Sequence, residues 1–331
     1  MKKVVLLSVC LAGLLSTSRS YGQNNLDQLL KGSQADMQYL AEGYLSPALN
    51  AIGSGLNQGW YNTAATHKLL GFDITISASL MFYPTSDQFY KVDNNRLTAL
   101  KITNPADGMA PTIFGNKQTP TYDFKSGPSA PFAGPPGLDL GASGPNALPL
   151  PIANLGIGLP KKTDLKLRFL PSLSLGQGTS VSLFGIGVMH DIKQYIPGIK
   201  MAPFDLSAFV GYTTFKSDVA FDAVANPSQV GSSEFTATTI QGVIGKKFSI
   251  LTVYGSLGYN FASGSFKAKG SYPTGIAGAP ALVDPVSISS STSGPRVSAG
   301  LRLKFLILTI HGDYTLQTYN TLTFGVGLTV R

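Results

Sequence analysis

The sequence predicts an all-β fold: a transmembrane antiparallel β-barrel of about 12 strands, range 10–14, preceded by an N-terminal helical segment. Three observations predict it. First, seven separate runs alternate apolar and polar residues with a period of two, at residues 72–82, 165–175, 204–212, 251–261, 297–305, 308–314 and 322–330. Second, most of these runs suit a tilted crossing of a hydrocarbon layer, which needs roughly 9–11 residues. Strands of soluble proteins average about five or six. Third, the polar face of the runs is mostly Ser, Thr and Gly with an occasional charge. That composition suits an enclosed lumen better than a solvated face, and in lipid a sheet can span only if it closes on itself. A secreted soluble β-sandwich is the rival, with the same alternation turned inside out.

The elements follow in order. Lys2 and Lys3, the apolar stretch 4–15 and the small residues Ser20 and Gly22 have the layout of a secretory signal peptide over residues 1–22. Twelve apolar residues are too few to cross a bilayer core of about 30 Å. Cys10 lies within this segment and is the chain's single cysteine, so the exported chain needs no disulfide. Residues 23–56 form the helical N-terminal segment, a candidate plug. Within it Leu26, Leu29, Leu30, Met37, Leu40, Tyr44, Leu45 and Leu49 recur at three- and four-residue steps, Asn25 is the expected cap, Pro47 a kink, and Gly53 and Gly55 the stop. Residues 57–331 form the barrel. Besides the seven runs, residues 181–188 shift phase near Phe184, which predicts a bulge there, and 235–247 alternates weakly. Shorter strand candidates lie at 57–65 and 97–103. Tight connections are expected at 176–179, 246–249 and 304–307. Long ones are expected at 83–96, 216–234 and 262–295, with a Pro/Gly-rich loop over 104–162. Short turns on one rim and long loops on the other are the pattern of outer-membrane barrels. Tyr83, Tyr212, Tyr254, Tyr259, Tyr314 and Tyr319 are candidates for interfacial girdles.

Composition narrows the classes. Charged residues are 13% and hydrophobic residues 43%, which excludes a charged disordered chain. The 37 glycines follow no collagen period. A net charge of +8 without a cluster of Lys/Arg and aromatics gives no basis for a nucleic-acid partner.

The order of parts resembles the long-chain fatty-acid transporter family of outer-membrane barrels: export signal, helical segment, the Gly/Asn/Trp-containing entry at residues 53–62, then amphipathic strands. Residues 60–79 (WYNTAATHKLLGFDITISAS) are similar to a group of outer-membrane proteins of uncharacterised function found alongside that family. The resemblance implies a plug at residues 23–56 and sideways exit of hydrophobic substrates into the membrane. The chain ends in Val330-Arg331, where such barrels usually end in an aromatic residue.

The candidate binding residues are Lys166, Arg168, Arg302 and Lys304, all on polar faces. In a closed barrel they point inward, where they either attract an anionic head group or pair with Asp73, Asp205 and Asp313. His311 and Asp313 share one polar face and line the lumen; hydrolysis would need a positioned serine, and the sequence identifies none. His190-Asp191 is a rim pair. Gly185-Ile-Gly187 and Gly325-Val-Gly327 lie inside strands with no following helix, so they are not phosphate loops. The scattered histidines give no metal spacing. The expectation is therefore a non-enzymatic barrel without cofactor, in the outer membrane of a Gram-negative bacterium, that binds or passes small hydrophobic molecules. Its partners would be membrane lipid and the barrel-assembly machinery. The alternatives are a structural or surface-interaction barrel and, less favoured, the soluble sandwich or a barrel hydrolase.

Overall fold

The computed structural model describes residues 29–126, 130–176, 178–222, 226–276 and 278–330. The proposed export segment 1–22, Cys10 and the Asn25 cap lie outside them. Ten strands form a closed antiparallel ring: β1 Phe72–Phe82, β2 Ala147–Leu159, β3 Thr163–Gly176, β4 Thr179–Asp191, β5 Asp205–Asp222, β6 Asn226–Phe248, β7 Leu251–Lys269, β8 Val286–Phe305, β9 Leu308–Leu316 and β10 Thr321–Val330. Each strand pairs with its neighbour in sequence. The ring closes where β1 meets β10, from Phe72 opposite Val330 to Met81 opposite Thr321.

The pleat sorts the side chains. Along β1, Ile74 is 48% exposed, whereas its neighbour Thr75 is 4% exposed. The same holds around the ring: Ile186, Val210, Ile240, Leu257, Leu301 and Phe324 face out, while Thr213, Thr239, Ser256, Ser298 and Thr323 are buried inside. The apolar faces thus form an outward belt and the polar faces a packed interior.

The ring has ten strands, the lower end of the expected 10–14, because two candidates drop out and one strand lay hidden. The candidate at 57–65 is not a strand; it is an interior segment whose residues Trp60 and Ala64 are buried. The candidate at 97–103 becomes a short strand, Leu100–Asn104, outside the ring. Conversely, the expected loop 104–162 contains β2, hidden by Pro149 and Pro151. These prolines lie two apart, so their missing N–H groups fall on one edge of the strand. An edge of this stretch is in fact unpaired: β3 pairs with β2 only from Leu155–Leu167 to Leu159–Thr163, while β1 pairs with β2 from Ala147 to Ile157. The expected bulge near Phe184 lies instead across the ladder in β3, where Leu170–Leu173 opposes Leu183–Val181 and Pro171 interrupts the pairing. The long loops expected at 216–234 and 262–295 are largely strand, because β5 to β8 continue beyond the apolar belt. There the outward face leaves the belt, while inward residues such as Phe235, Phe266, Ala268 and Ile288 join the apolar cluster around α1, so pairing persists after the regular alternation has ended.

Two rims result. The turn rim carries the connections 160–162, 192–204, 249–250 and 306–307, and the loop rim carries 83–146, 270–285 and 317–320. Helix α1, Gln34–Gly55, lies at the loop rim and packs on the inward faces of β7 and β8. It starts later than expected because Ser33 caps it, accepting from the Asp36 N–H at 3.1 Å; Pro47 lies within it, and Gly53 and Gly55 belong to its last turn. The Asp36 carboxylate is buried and accepts from the backbone N–H groups of Thr98, Ala99 and Leu100 at 2.6–2.9 Å. This ties α1 to a cap of short strands, Phe89–Lys91 with Met109–Pro111, and Leu100–Asn104 with Thr121–Phe124 and Phe132–Ala133. Burial in this cap pushes the Tyr122 hydroxyl up to about 12. The girdle expectation divides: Tyr212, Tyr259 and Tyr314 face out, while Tyr83, Tyr254 and Tyr319 are buried.

Candidate functional site: a filled lumen

The chain leaves α1 at Leu56, runs down the bore through residues 57–70 and enters β1 at the turn rim. Two wall arginines hold the point where helix becomes interior strap. Arg168 of β3 donates from Nη1 to the Leu56 carbonyl at 2.7 Å, from Nη2 to the Gln58 carbonyl, and from Nε to Asn154 Oδ1 at 2.6 Å. Arg296 of β8 donates from Nη1 to the Asn57 carbonyl at 3.0 Å and from Nη2 to Gln58 Oε1 at 3.1 Å. The last turn of α1 has no basic residue of its own. The wall supplies the cations that the negative end of the helix dipole favours.

Below this clamp, Trp60 lies under the Arg168 guanidinium, 3.5 Å from ring centroid to Cζ, and against Phe209 with ring centroids 5.5 Å apart. The wall makes room for it with glycine. A Cβ at Gly211 would come within 2.8 Å of Trp60 Cε2, and one at Gly187 within 3.2 Å of Trp60 Cζ3. Gly211→Ala is therefore expected to cost about 1–3 kcal/mol by overpacking, measurable as a lower temperature of loss of the compact band in heat-modifiable gel migration.

At the turn rim lies a buried charge cluster. His67 Nδ1 lies 2.8 Å from Asp164 Oδ2, and the His67 backbone N–H donates to Asp164 Oδ1 at 2.8 Å. His67 Nε2 lies 3.5 Å from Asp73 Oδ1. Lys166 Nζ lies 3.3 Å from Asp73 Oδ1 and 3.7 Å from Asp164 Oδ2. The strap thus carries a histidine into a ring of opposite charges on β1 and β3. Such a cluster holds only when each charge is partnered.

Of the predicted site residues, Lys166, Arg168 and Arg302 are buried in the lumen, and Lys304 is half-buried near the turn rim. Lys166 pairs with Asp73 and Asp164, and Arg168 is taken up by the strap, so neither presents a free cation to a ligand. Asp313 accepts from the Tyr254 hydroxyl at 3.0 Å. Both ring nitrogens of His311 are buried without a hydrogen-bond partner. The sequence reading missed Trp60, His67, Asn154 and Asp164 as interior contacts. Glycines at 185, 187 and 211 were the available signal, but their partner Trp60 is far off in sequence.

The lumen changes character along its length. The polar clamp and charge cluster occupy the turn-rim half. Toward the loop rim Leu45, Leu49 and Ile52 of α1 pack against Leu150, Leu183, Phe215, Phe235 and Phe266. Two cavities flank the clamp, one beside Tyr61 and Arg296 and one beside Asn260 and Gln317, each of about 10 Å³, the space of about one water molecule. Both fall below the roughly 300–1,000 Å³ of ordinary ligand pockets.

A protein-family model with the description "Family of unknown function (DUF6588)" matches residues 1–330. No curated protein matches the chain. Among solved structures, the translocator domain of autotransporter NalP from Neisseria meningitidis is similar at 14% identity, over 86% of this chain and 93% of that one, with a TM-score of 0.30. A Pseudomonas aeruginosa FadL homologue is similar at 10% identity, over 90% and 98%, with a TM-score of 0.23. The attachment invasion locus protein Ail of Yersinia pestis is similar at 10% identity, over 80% and 100%, with a TM-score of 0.28. These neighbours are outer-membrane β-barrels.

Proposed function

The chain belongs to this family of unknown function, and from its own geometry we propose an outer-membrane β-barrel of a Gram-negative bacterium that binds or passes small hydrophobic molecules such as fatty acids. In this reading α1 and residues 56–71 are the plug, and the outward belt faces acyl chains. Closure of the ring supports the membrane setting, because everywhere but along part of the β2–β3 wall it pairs the backbone groups that lipid would leave unsatisfied. The observation that carries the transport reading is the wall between β2 and β3. Its pairing stops at Leu155–Leu167, leaving residues 147–154 of β2 and 168–176 of β3 unzipped. The apolar half of the lumen lies behind this seam, with Leu150 on β2 and Leu183 on β4, one strand beyond β3. A greasy molecule could move between that interior and the membrane without meeting the charge cluster, provided α1 yields space.

The test locks α1. A Cβ at Gly53 would lie 2.9 Å from the Ala262 Cβ, so the end of α1 must draw back by about 1 Å to reach the roughly 3.5–4.5 Å between the Cβ atoms of a disulfide. In vesicles, the Gly53→Cys/Ala262→Cys double variant is expected to take up a fluorescent long-chain fatty acid at least tenfold more slowly when oxidised than when reduced. Equal rates in both states would sink the transport reading. They would favour the alternative of a structural or surface-interaction barrel, which the small cavities and the cap over the mouth support.

A further inference from the structure

The turn rim is built unlike a water-facing rim. Leu70 and Leu306 occupy the left-handed backbone region, with φ of 62° and 53°, and they are 78% and 92% exposed. Lys161 and Lys162 also have positive φ, 59° and 52°, and are exposed. Glycine or asparagine would relieve the strain at such positions. Leucine incurs both strain and contact with water there, unless something apolar covers it.

The apolar tips form one surface. The Lys304 N–H donates to the Ile250 carbonyl at 2.8 Å, and the Thr329 N–H donates to the Ile307 carbonyl at 2.7 Å, which joins neighbouring turns side by side. Ile250, Leu306 and Ile307 are exposed, and they continue the apolar belt past the ends of the strands. Lysines surround them: Lys68, Lys161, Lys162, Lys200, Lys246 and Lys247 are exposed on the same rim. The acidic residues in these turns are Asp191, paired with Lys162 at 3.2 Å, and the half-buried Asp205.

Resting on the membrane reading above, we infer that the turn rim is a docking surface for anionic phospholipid of the adjacent leaflet. The leucine and isoleucine tips enter the acyl region, and the lysines reach the phosphate and headgroup layer. Long lysine stems allow this arrangement, keeping the ammonium polar while the methylenes lie along apolar surface. Continuity with the belt selects lipid over a soluble partner. The excess of lysine selects anionic over zwitterionic headgroups.

The full chain, in detergent micelles with equal amounts of phosphatidylglycerol and phosphatidylethanolamine, is expected to retain phosphatidylglycerol preferentially in native mass spectrometry, by roughly fivefold or more. The preference should fall with added salt and disappear in a Lys161→Gln/Lys162→Gln/Lys246→Gln/Lys247→Gln variant that keeps heat-modifiable migration. An environment-sensitive dye on Leu306→Cys should emit as in an apolar medium in phosphatidylglycerol vesicles. Equal retention of the two lipids, a water-like dye emission, or binding to isolated peptidoglycan without lipid preference would overturn the proposal. Failure of the membrane reading has a different signature: a chain that stays monodisperse without any amphiphile.

Discussion

Arg168→Leu is expected to destabilise the barrel by several kcal/mol, at about 1–3 kcal/mol for each buried acceptor left without a donor. The Leu56 and Gln58 carbonyls and Asn154 Oδ1 lose their donor together, and Trp60 loses the cation over its face. Leucine fills part of the volume and satisfies none of these groups. The compact band in gel migration should therefore vanish at markedly lower temperature. Because Arg168 also fastens the strap, single-channel recordings in a planar bilayer should show openings that the unaltered chain lacks. Arg168→Lys keeps the charge but cannot fork to several acceptors, so it should fall between the two. Unchanged heat stability together with a silent bilayer would show that the clamp holds nothing.

Asp164→Leu should have an effect of similar size, about 3–5 kcal/mol. Asp164 is 1% exposed and faces both His67 and Lys166. Its loss leaves Asp73 as the sole carboxylate described in that cluster, and it frees the His67 backbone N–H. The strap should detach at its lower end, so protease cleavage near residue 67 should rise in the folded variant. Adding His67→Leu removes the imidazole that Asp164 held, leaves Lys166 paired with Asp73 at 3.3 Å, and should restore part of the stability. A double variant no more stable than Asp164→Leu would contradict the coupling.

How much of this was legible depends on what each strand touches. Where one face meets an apolar exterior and the other a polar interior, as in β1, β8 and β10, alternation is sharp and the sequence reads directly. β2 was concealed because Pro149 and Pro151 signal loop unless their missing N–H groups are known to fall on one edge. Residues 57–65 mix Asn57 and Gln58 with Trp60, Tyr61 and Ala64, and that mixture looks like a strand until the bore is known to contain both arginines and glycine hollows. Inward placement of Lys166, Arg168 and Arg302 follows from parity within a closed ring. Their partners do not, since Arg168 binds carbonyls, which leave no trace in sequence.

The strap enters from the loop rim and ends as β1, so the first strand of the wall is continuous with the material inside the wall. Passing α1 and its cap contacts through a finished ring would require them to slip past the inward side chains of Arg168, Arg296 and Phe209. Closing β1 on β10 last avoids this passage, because residues 56–71 can be laid across the open sheet before the final ladder from Phe72–Val330 to Met81–Thr321 forms. Assembly then resembles wrapping more than threading: the parcel is sealed by joining its two most distant edges around contents already in place.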